Sequence, residues 1–484
     1  MPCGAAGCGH RTLSPNGHIV LSAWCYVLAW AMTLADQLLR LPLAGDVGGV
    51  AILLFLLLEF RNQRRFAQVL FLALFAIGMV GVALASDKLG LFLAGWRRGA
   101  SYAVFFLALT TLRDAAETSE LVRRCGQHLV AQPPGRRYAA LTAGGHIFGI
   151  TLSYGAIELL AAMVMRANTL ESAGGSRDIQ RIRSRRMLLA IYRGFCVMNC
   201  WSPINIMTAV VSTAVPAAPM RLLLPLAFVV SVGMTALGWV EDRLSGARLQ
   251  TRGGPRPMTS ESWTIHWRIV ALILLVMLLA EATAALFGIS LVAGVTLAVP
   301  LISLSWLIAQ SWRFAGSRAS RLPGLLHRRA RRFLLRIPSI RGEATVLGGS
   351  GFMGVAIGSV LPMIGLTPMI ATLPPVTVPL LVPLVLIATG QLGLNPVAVV
   401  ALVGAAIPDP AALGVPPAVL AFACMLGWGL GVTMTPMSSS AIITARWADV
   451  SPWTVTTRWN ASFTSSALLL AWAAVVLAFM LWPR

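Results

Sequence analysis

The sequence contains little charge and only one lysine. Of its 484 residues, 11% are charged, and Lys88 is the one lysine among 38 basic residues. Soluble domains carry about 25% charged and 45–50% apolar residues, whereas this chain is 57% hydrophobic and has a mean hydropathy of +0.77. The composition therefore excludes a soluble protein. It predicts an all-α polytopic membrane protein with about 10–13 transmembrane helices of roughly 20 residues each.

Motifs of common enzyme classes are also missing. The chain has no His-Glu-x-x-His motif, no phosphate-binding loop and no aspartate cluster that would hold Mg²⁺. Of the seven cysteines, Cys3 and Cys8 match no zinc-site spacing. The others lie in or beside apolar segments, where cysteine is an ordinary small hydrophobic residue. We therefore predict no enzyme activity, no metal site and no cofactor, apart from Na⁺ as a coupling ion.

The net charge of +21 indicates membrane topology rather than nucleic-acid binding. A nucleic-acid surface requires a basic face on a soluble domain, whereas these arginines cluster in short loops between apolar runs. Such loops mark the cytoplasmic side, and the arginine-rich, lysine-poor composition fits a GC-rich bacterial genome. The sequence thus predicts a multi-pass protein of the bacterial inner membrane. The basic loops expected in the cytoplasm are residues 61–65, 113–137, 166–193, 243–268 and 313–341.

The apolar run 139–165 has arginines on both sides, including Arg137 and Arg166. A single crossing would place one of these basic clusters on the wrong face of the membrane. A re-entrant hairpin that enters and leaves from the cytoplasm satisfies both flanks, and glycines supply the flexibility that its tip needs. Such backbone is tolerated at membrane depth only inside protein or along a cavity. The alternative is one ordinary span with a weakly biased loop.

Two later runs, 187–216 and 418–445, each contain a proline beside small polar residues. Residues 201–205 read Trp-Ser-Pro-Ile-Asn, and residues 435–438 read Thr-Pro-Met-Ser. Proline removes a backbone donor and breaks a helix, and polar breaks at mid-membrane are typical of secondary transporters. Glycine doublets precede both breaks in the same order. The sequence therefore predicts two structural repeats that contain re-entrant hairpins and broken helices.

The hairpin of the second half has two candidates, residues 348–354 and residues 395–415, the latter with a Pro-Asp-Pro turn at 408–410. The connector between the halves is arginine-rich and amphipathic, as expected of a helix that lies on anionic lipid. The predicted segments are a cytoplasmic N-terminal tail (1–17), a first membrane repeat (18–256), the first helices of the second half (257–312), the connector (313–343) and the remainder of the second repeat (344–484).

Small polar residues around the two breaks form the predicted substrate or ion site, because broken helices expose backbone donors to anions and carbonyl groups to cations. Serine and threonine also stabilise ordinary helix packing in membranes, and His146 also fits a core histidine. The candidates are Ser202, Asn205, Thr208, Thr435, Ser438, Ser439 and Ser440, with the glycine-doublet residues Gly144, Gly145, His146, Gly348 and Gly349.

Glu158 lies within an apolar run, where an ionisable side chain is costly and therefore a functional candidate. We predict that it binds a coupling proton or cation. The alternative is a structural ion pair with an arginine such as Arg193 or Arg166.

With its polar-proline breaks after hairpin-like segments, the chain resembles the ion transporter superfamily of divalent-anion symporters, arsenite-pump-like permeases and tripartite dicarboxylate transporters. Symporters of that group often carry Ser-Asn-Thr at the breaks, a motif absent here. The resemblance implies a secondary active transporter of a small, organic anion, coupled to Na⁺ or H⁺ and working by alternating access. The lipid bilayer is a partner, nucleic acid is not, and a homodimer is compatible with the sequence. Alternatives are a membrane-embedded enzyme or assembly protein that handles a lipid-linked substrate in envelope biogenesis, and a channel or subunit of a complex.

Overall fold

The computed structural model describes residues 17–246, 262–315 and 322–482, apart from residues 359, 362 and 364. This part of the chain is helical and contains no β-strand. The all-α polytopic fold predicted from composition is therefore confirmed. The expected N-terminal tail lies outside the described residues except for Gly17, as do parts of the loop 243–268 and of the connector 313–343.

The described residues form twenty α-helices, which fall into four groups. Three come first, α1 (Gly17–Leu39), α2 (Pro42–Glu59) and α3 (Arg65–Leu84). The first repeat has α4 (Lys88–Glu117), α5 (Glu120–Val130), α6 (Pro134–Leu152), α7 (Gly155–Ala167), α8 (Arg177–Met198), α9 (Ile206–Ala214) and α10 (Met220–Gly246). Three helices connect the halves, α11 (Thr264–Phe287), α12 (Leu291–Ala315) and α13 (Leu322–Arg336). The second repeat has α14 (Arg341–Gly358), α15 (Leu366–Ala371), α16 (Thr377–Gln391), α17 (Pro396–Ala406), α18 (Pro417–Met434), α19 (Ser439–Ala448) and α20 (Ala461–Leu481).

The outer surface of this bundle is apolar, as lipid requires. Val69 and Leu278, for example, are each 66% exposed. An apolar surface of this extent would be unfavourable in water. In contrast, nearly all residues of α18 are buried, so α18 lies at the centre of the molecule. By length and composition, the described helices that can cross a membrane are α1, α2, α3, α10, α11, α12, α18 with its continuation, and α20. The other central helices are shorter or carry arginines.

The two repeats have the same order of elements. Each consists of a long helix, a short helix, a pair of helices joined by a tight turn, a helix broken by an irregular segment, and a final long helix. In both, the first arm of the hairpin packs along the broken helix, α6 on α8 and α16 on α18. The second arm of each hairpin contacts the far half of the other repeat's broken helix, α7 on α19 and α17 on α9.

Equivalent helices of the two repeats pack against each other in opposite directions. Between α8 and α18, Cys200 contacts the carbonyl oxygen of Leu426 at 3.7 Å, whereas Tyr192, earlier in α8, bonds to the later Thr433. Between α10 and α20, Gly238 lies against Phe463 and the earlier Gly233 lies against the later Leu470. Helices α4 and α14 cross in the same antiparallel way. The repeats are therefore inverted relative to each other.

Residues 134–167 form a helical hairpin. Its arms α6 and α7 are joined at Ser153, which has a positive φ of 51°, and they run side by side, since a Cβ on Gly144 would lie 3.3 Å from Leu160. The segment predicted as a hairpin over 139–165 thus reverses direction within the protein rather than continuing as one straight helix.

The hairpin of the second half is residues 377–406, and neither sequence candidate was right. Its tip at residues 392–395 combines Gly393, with a φ of 85°, and Asn395, which caps α17 by accepting a bond from Val397 N at 2.9 Å. Residues 348–354 lie inside α14, and 395–415 holds only the second arm and the turn that follows it. An asparagine cap followed by proline marks a helix start, so Asn395 and Pro396 are a local sequence signal for the second arm of this hairpin.

Candidate functional site

The first broken helix is interrupted between Met198 and Ile206, at the predicted proline. Asn205 caps the second half, because its Oδ1 accepts a bond from Met207 N at 3.0 Å. The Nδ2 of Asn205 donates to Oδ1 of Asn199 at 2.9 Å. The hydroxyl group of Thr208 donates to the carbonyl oxygen of Ser202 at 2.8 Å. Side chains therefore satisfy the backbone groups that the missing turn leaves free.

The tip of the first hairpin lies against this break. The rings of Tyr154 and Phe195 are 5.4 Å apart between centroids, and a Cβ on Gly149 would lie 2.8 Å from Met198. A cavity of about 60 Å³ remains between the tip, the break and α4. Its polar lining consists of Thr110, Arg113, Thr151, Ser153, Tyr154, Asn199 and Asn205. We refer to it as the break cavity.

A second cavity, of about 240 Å³, adjoins the break cavity on the other side of Thr110 and Arg113, which line both. Helix α4 and the segment from α13 to Ile340 form its walls, and it is strongly charged. Arg336 binds Asp114 at 3.1 Å and Glu117 at 3.6 Å. We refer to this cavity as the vestibule.

The second break, residues 435–438, is closed by local hydrogen bonds. Thr435 donates to the carbonyl oxygen of Gly431 at 2.7 Å, and Ser438 caps α19 through a bond from Ala441 N at 3.2 Å. At the tip of the second hairpin, Gln391 donates to the carbonyl oxygen of Met434 at 2.7 Å. Hairpin tip and break thus meet in both repeats.

The predicted hydroxyl and amide residues are only partly brought together. Asn205 alone among them lines the break cavity. Ser202 is fully buried beside it, with a hydroxyl group that makes no hydrogen bond to the described part of the chain. Ser438 and Ser440 are 3.1 Å apart between hydroxyl oxygens in the second repeat, and Ser439 is exposed. The two sets therefore do not line one described cavity together.

The predicted glycine doublets do not occupy equivalent positions. Gly144 and Gly145 lie in α6, where a Cβ on Gly145 would be 2.6 Å from the carbonyl oxygen of Ile191 in α8. Gly348 and Gly349 lie in α14, the counterpart of α4, and Gly348 contacts Gly99 there. Both doublets permit close helix crossings. The prediction that the two doublets are counterparts in the two repeats was wrong, because Gly145 lies at the contact of α6 with α8 and Gly348 lies at the contact of α14 with α4.

His146 also lies outside the cavities that the structure describes. Its Nδ1 is 3.2 Å from the carbonyl oxygen of Thr142, one turn earlier in α6, and its ring lies 6.5 Å from that of Trp201. This arrangement is that of a histidine whose polar atom is satisfied within its own helix.

Glu158 is held in an ion pair. Its carboxylate binds Arg446 and accepts a hydrogen bond from Nε1 of Trp447 at 2.8 Å. The partner is neither of the arginines considered from the sequence, because α7 packs on α19 of the other repeat. The ion pair links the first hairpin to the second broken helix. Its role as a coupling site stays a prediction.

Sequence reasoning missed two residues of the site. Asn199 precedes the proline motif by four positions and lies within an apolar run, so only its bond to Asn205 identifies it. The sequence placed Arg113 at the start of a predicted cytoplasmic loop. In the structure it lies in the last turn but one of the 30-residue helix α4. A charged residue within the long helical stretch 88–117 was the sequence signal for Arg113.

The fold is similar to that of a solved transporter. The YdaH transporter of Alcanivorax borkumensis matches with a TM-score of 0.52 and 15% sequence identity, over 85% of this chain and 97% of that one. No protein-family model and no curated protein sequence matches. The likeness is thus one of fold, over nearly the whole of the solved chain.

Proposed function

We propose that this protein is a secondary active transporter of a small organic anion in the bacterial inner membrane. The observation that carries the proposal is the break cavity, where a hairpin tip, an interrupted helix and α4 meet around Asn199, Asn205 and Arg113. Arg113 is the one charged side chain among the described residues that line it, which favours a negatively charged substrate. The similarity in fold to a transporter supports the same conclusion.

Transport by alternating access fits this architecture. The hairpins and broken helices form a central unit, and α18 within it is almost entirely buried. The surrounding long helices form a scaffold against which that unit moves, while the substrate stays at the breaks. Coupling to Na⁺ or H⁺ supplies the energy, and Glu158 is the coupling candidate.

The alternative, a protein acting on lipid-linked substrates, requires a lipid-facing groove that contains clustered acids and arginines. The described part of the chain has a lateral cavity of about 430 Å³ beside Trp201 and Pro203. Its lining is apolar except for Arg221 and Glu281, which bind each other at 2.8 Å. This cavity has one acid and one arginine rather than a cluster of each, so transport is the better proposal.

The test is uptake into proteoliposomes. Radiolabelled acetate and succinate are offered under an inward Na⁺ gradient, an inward H⁺ gradient or no gradient, and we expect gradient-driven uptake of at least one. Asn205→Asp keeps the helix cap but replaces an amide donor by a negative charge in the break cavity. We expect uptake to fall at least about tenfold, the scale of one lost charge-assisted hydrogen bond, at unchanged protein level.

Asn395→Asp is the matched control, because Asn395 caps α17 in the same way and lines none of the described cavities. It is expected to retain uptake. Carboxylate uptake no greater than in empty liposomes would contradict the proposed function, and equal uptake by Asn205→Asp and the parent would contradict the site.

A further inference from the structure

We propose that Arg113 is the anion-selecting residue of the substrate route, and that small anions pass from the vestibule into the break cavity along its guanidinium. This inference rests on the proposed anion transport and deepens it. Arg113 and Thr110 are the residues common to both cavities. A ligand that moves between the two must therefore pass these side chains.

Among the described residues, one hydrogen-bond partner holds the guanidinium of Arg113. Its Nε donates to Oε1 of Glu117 at 2.7 Å, one helical turn later. Its two terminal nitrogens make no hydrogen bond to the described residues, and an arginine with a free edge can bind a carboxylate through two parallel bonds. The contact with Glu117 fixes the orientation and leaves that edge available.

The same ion pair lies against the tip of the first hairpin. A Cβ on Gly155, the first residue of α7, would be 3.6 Å from both Nε of Arg113 and Oε1 of Glu117. Movement of the hairpin against α4 would therefore change the space around the guanidinium directly. A side chain at residue 155 would start in van der Waals contact with this ion pair.

The charges that line the vestibule are balanced. Asp114 and Glu117 both bind Arg336 from the connector, and Glu117 also binds Arg113, so two arginines face two carboxylates and the free edge of Arg113 is the part of its guanidinium left for an anion. The walls of the vestibule come from two of the basic segments expected in the cytoplasm. The route thus opens on the cytoplasmic side, past arginines, toward the amides of the break.

The test measures charge preference without knowledge of the substrate. Thr110→Cys places a thiol between the two cavities of the full-length protein in nanodiscs, and its modification is followed by mass spectrometry of the peptide that contains residue 110. The probes are the anionic sulfonatoethyl and the cationic trimethylammonioethyl methanethiosulfonates. Relative to free glutathione, we expect the anionic reagent to be favoured at least about tenfold, the scale of electrostatic focusing in a charged cleft.

Arg113→Gln should return the preference to that of glutathione, and Arg113→Lys should retain most of it. Glu117→Gln removes the partner and should increase the preference, so a second variant tests the idea if Arg113→Gln does not fold. Arg123→Gln is the control, since Arg123 is exposed, binds Glu120 at 2.5 Å and lines neither cavity. An unchanged preference in Arg113→Gln, or a residue 110 thiol that neither reagent modifies, overturns the inference.

The labelling result and the uptake result are independent. A protein that shows the expected charge preference and moves no carboxylate overturns the proposed function and leaves an anion-selective route. A protein that transports carboxylates with the same labelling ratio in Arg113→Gln retains the function and loses the role of Arg113.

Discussion

Arg193, at the centre of the first repeat, is the most deeply buried arginine in the ion pairs of the described residues, with 5% of its side chain exposed. Its guanidinium donates to Asn460 at 2.8 Å and to Tyr138 at 3.2 Å, and binds Glu241 at 3.1 Å. A buried cation is tolerated only when it is paired and hydrogen-bonded. Four elements, α6, α8, α10 and the start of α20, are therefore joined through one side chain.

Removal of the carboxylate should be strongly destabilising. Glu241→Ala leaves Arg193 buried without its counter-charge, and breaking such a pair costs about 3–5 kcal/mol. We expect a lower midpoint of unfolding in detergent, followed by circular dichroism. Glu120→Ala, which removes an exposed ion pair on α5, should leave that midpoint unchanged. Equal stability of Glu241→Ala and the parent would show that the network is not a structural element.

At the scale of elements, the contacts between the repeats decide what the hairpins can do. The second arm of each hairpin packs on the other repeat's broken helix, so neither repeat is complete alone. In the first hairpin this contact includes an ion pair between Glu158 and Arg446. The close α6–α8 crossing at Gly145 and Gly194 ties the first arm to its own broken helix.

Exchange of the two charges distinguishes a structural role of Glu158 from a role as the coupling site. Glu158→Arg and Arg446→Glu should each lower the unfolding midpoint, and the double variant should restore most of the loss, since paired residues are non-additive. If Glu158 also binds the coupling ion, the double variant recovers stability but not gradient-driven uptake of acetate or succinate. Full recovery of both would assign Glu158 a purely structural role.

At the scale of the whole molecule, the antiparallel pairing of equivalent helices fixes the relative direction of every segment. Residues that end α4 and begin α14 lie on one side, with the arginine-rich segments that border them. Helix α20 runs opposite to α10, so the end of α20 lies on the side where α10 begins. The positive-inside rule predicts that this side is the exterior.

The start of α1 and the end of α20 should therefore lie on opposite faces of the membrane. A cysteine in place of Ser172, in the loop between α7 and α8, should react with an impermeant maleimide only in inside-out vesicles. A cysteine in place of Ser290, between α11 and α12, and an alkaline phosphatase fused after Arg484 should be accessible and active on the outer face. Labelling of residues 172 and 290 from the same side would contradict this topology.

The sequence by itself determined that the chain lies in a membrane, that it is helical, that it contains hairpins and where its helices break. These depend on local physical terms: apolar run length against bilayer thickness, arginine placement and the missing N–H of proline. It also singled out Asn205, because an amide beside a proline break is a local pattern.

Only the tertiary structure decided which segments are equivalent, that the repeats are inverted, and which side chains share a cavity. Pairing of Glu158 with Arg446 joins residues 288 positions apart, and no local pattern specifies that contact. Gly144 and Gly348 lie in similar sequence motifs but differ in role, because each packs against different neighbours in the folded chain. Arg113 became a site residue only when α4 was packed against a hairpin tip, since burial and proximity are properties of the folded chain.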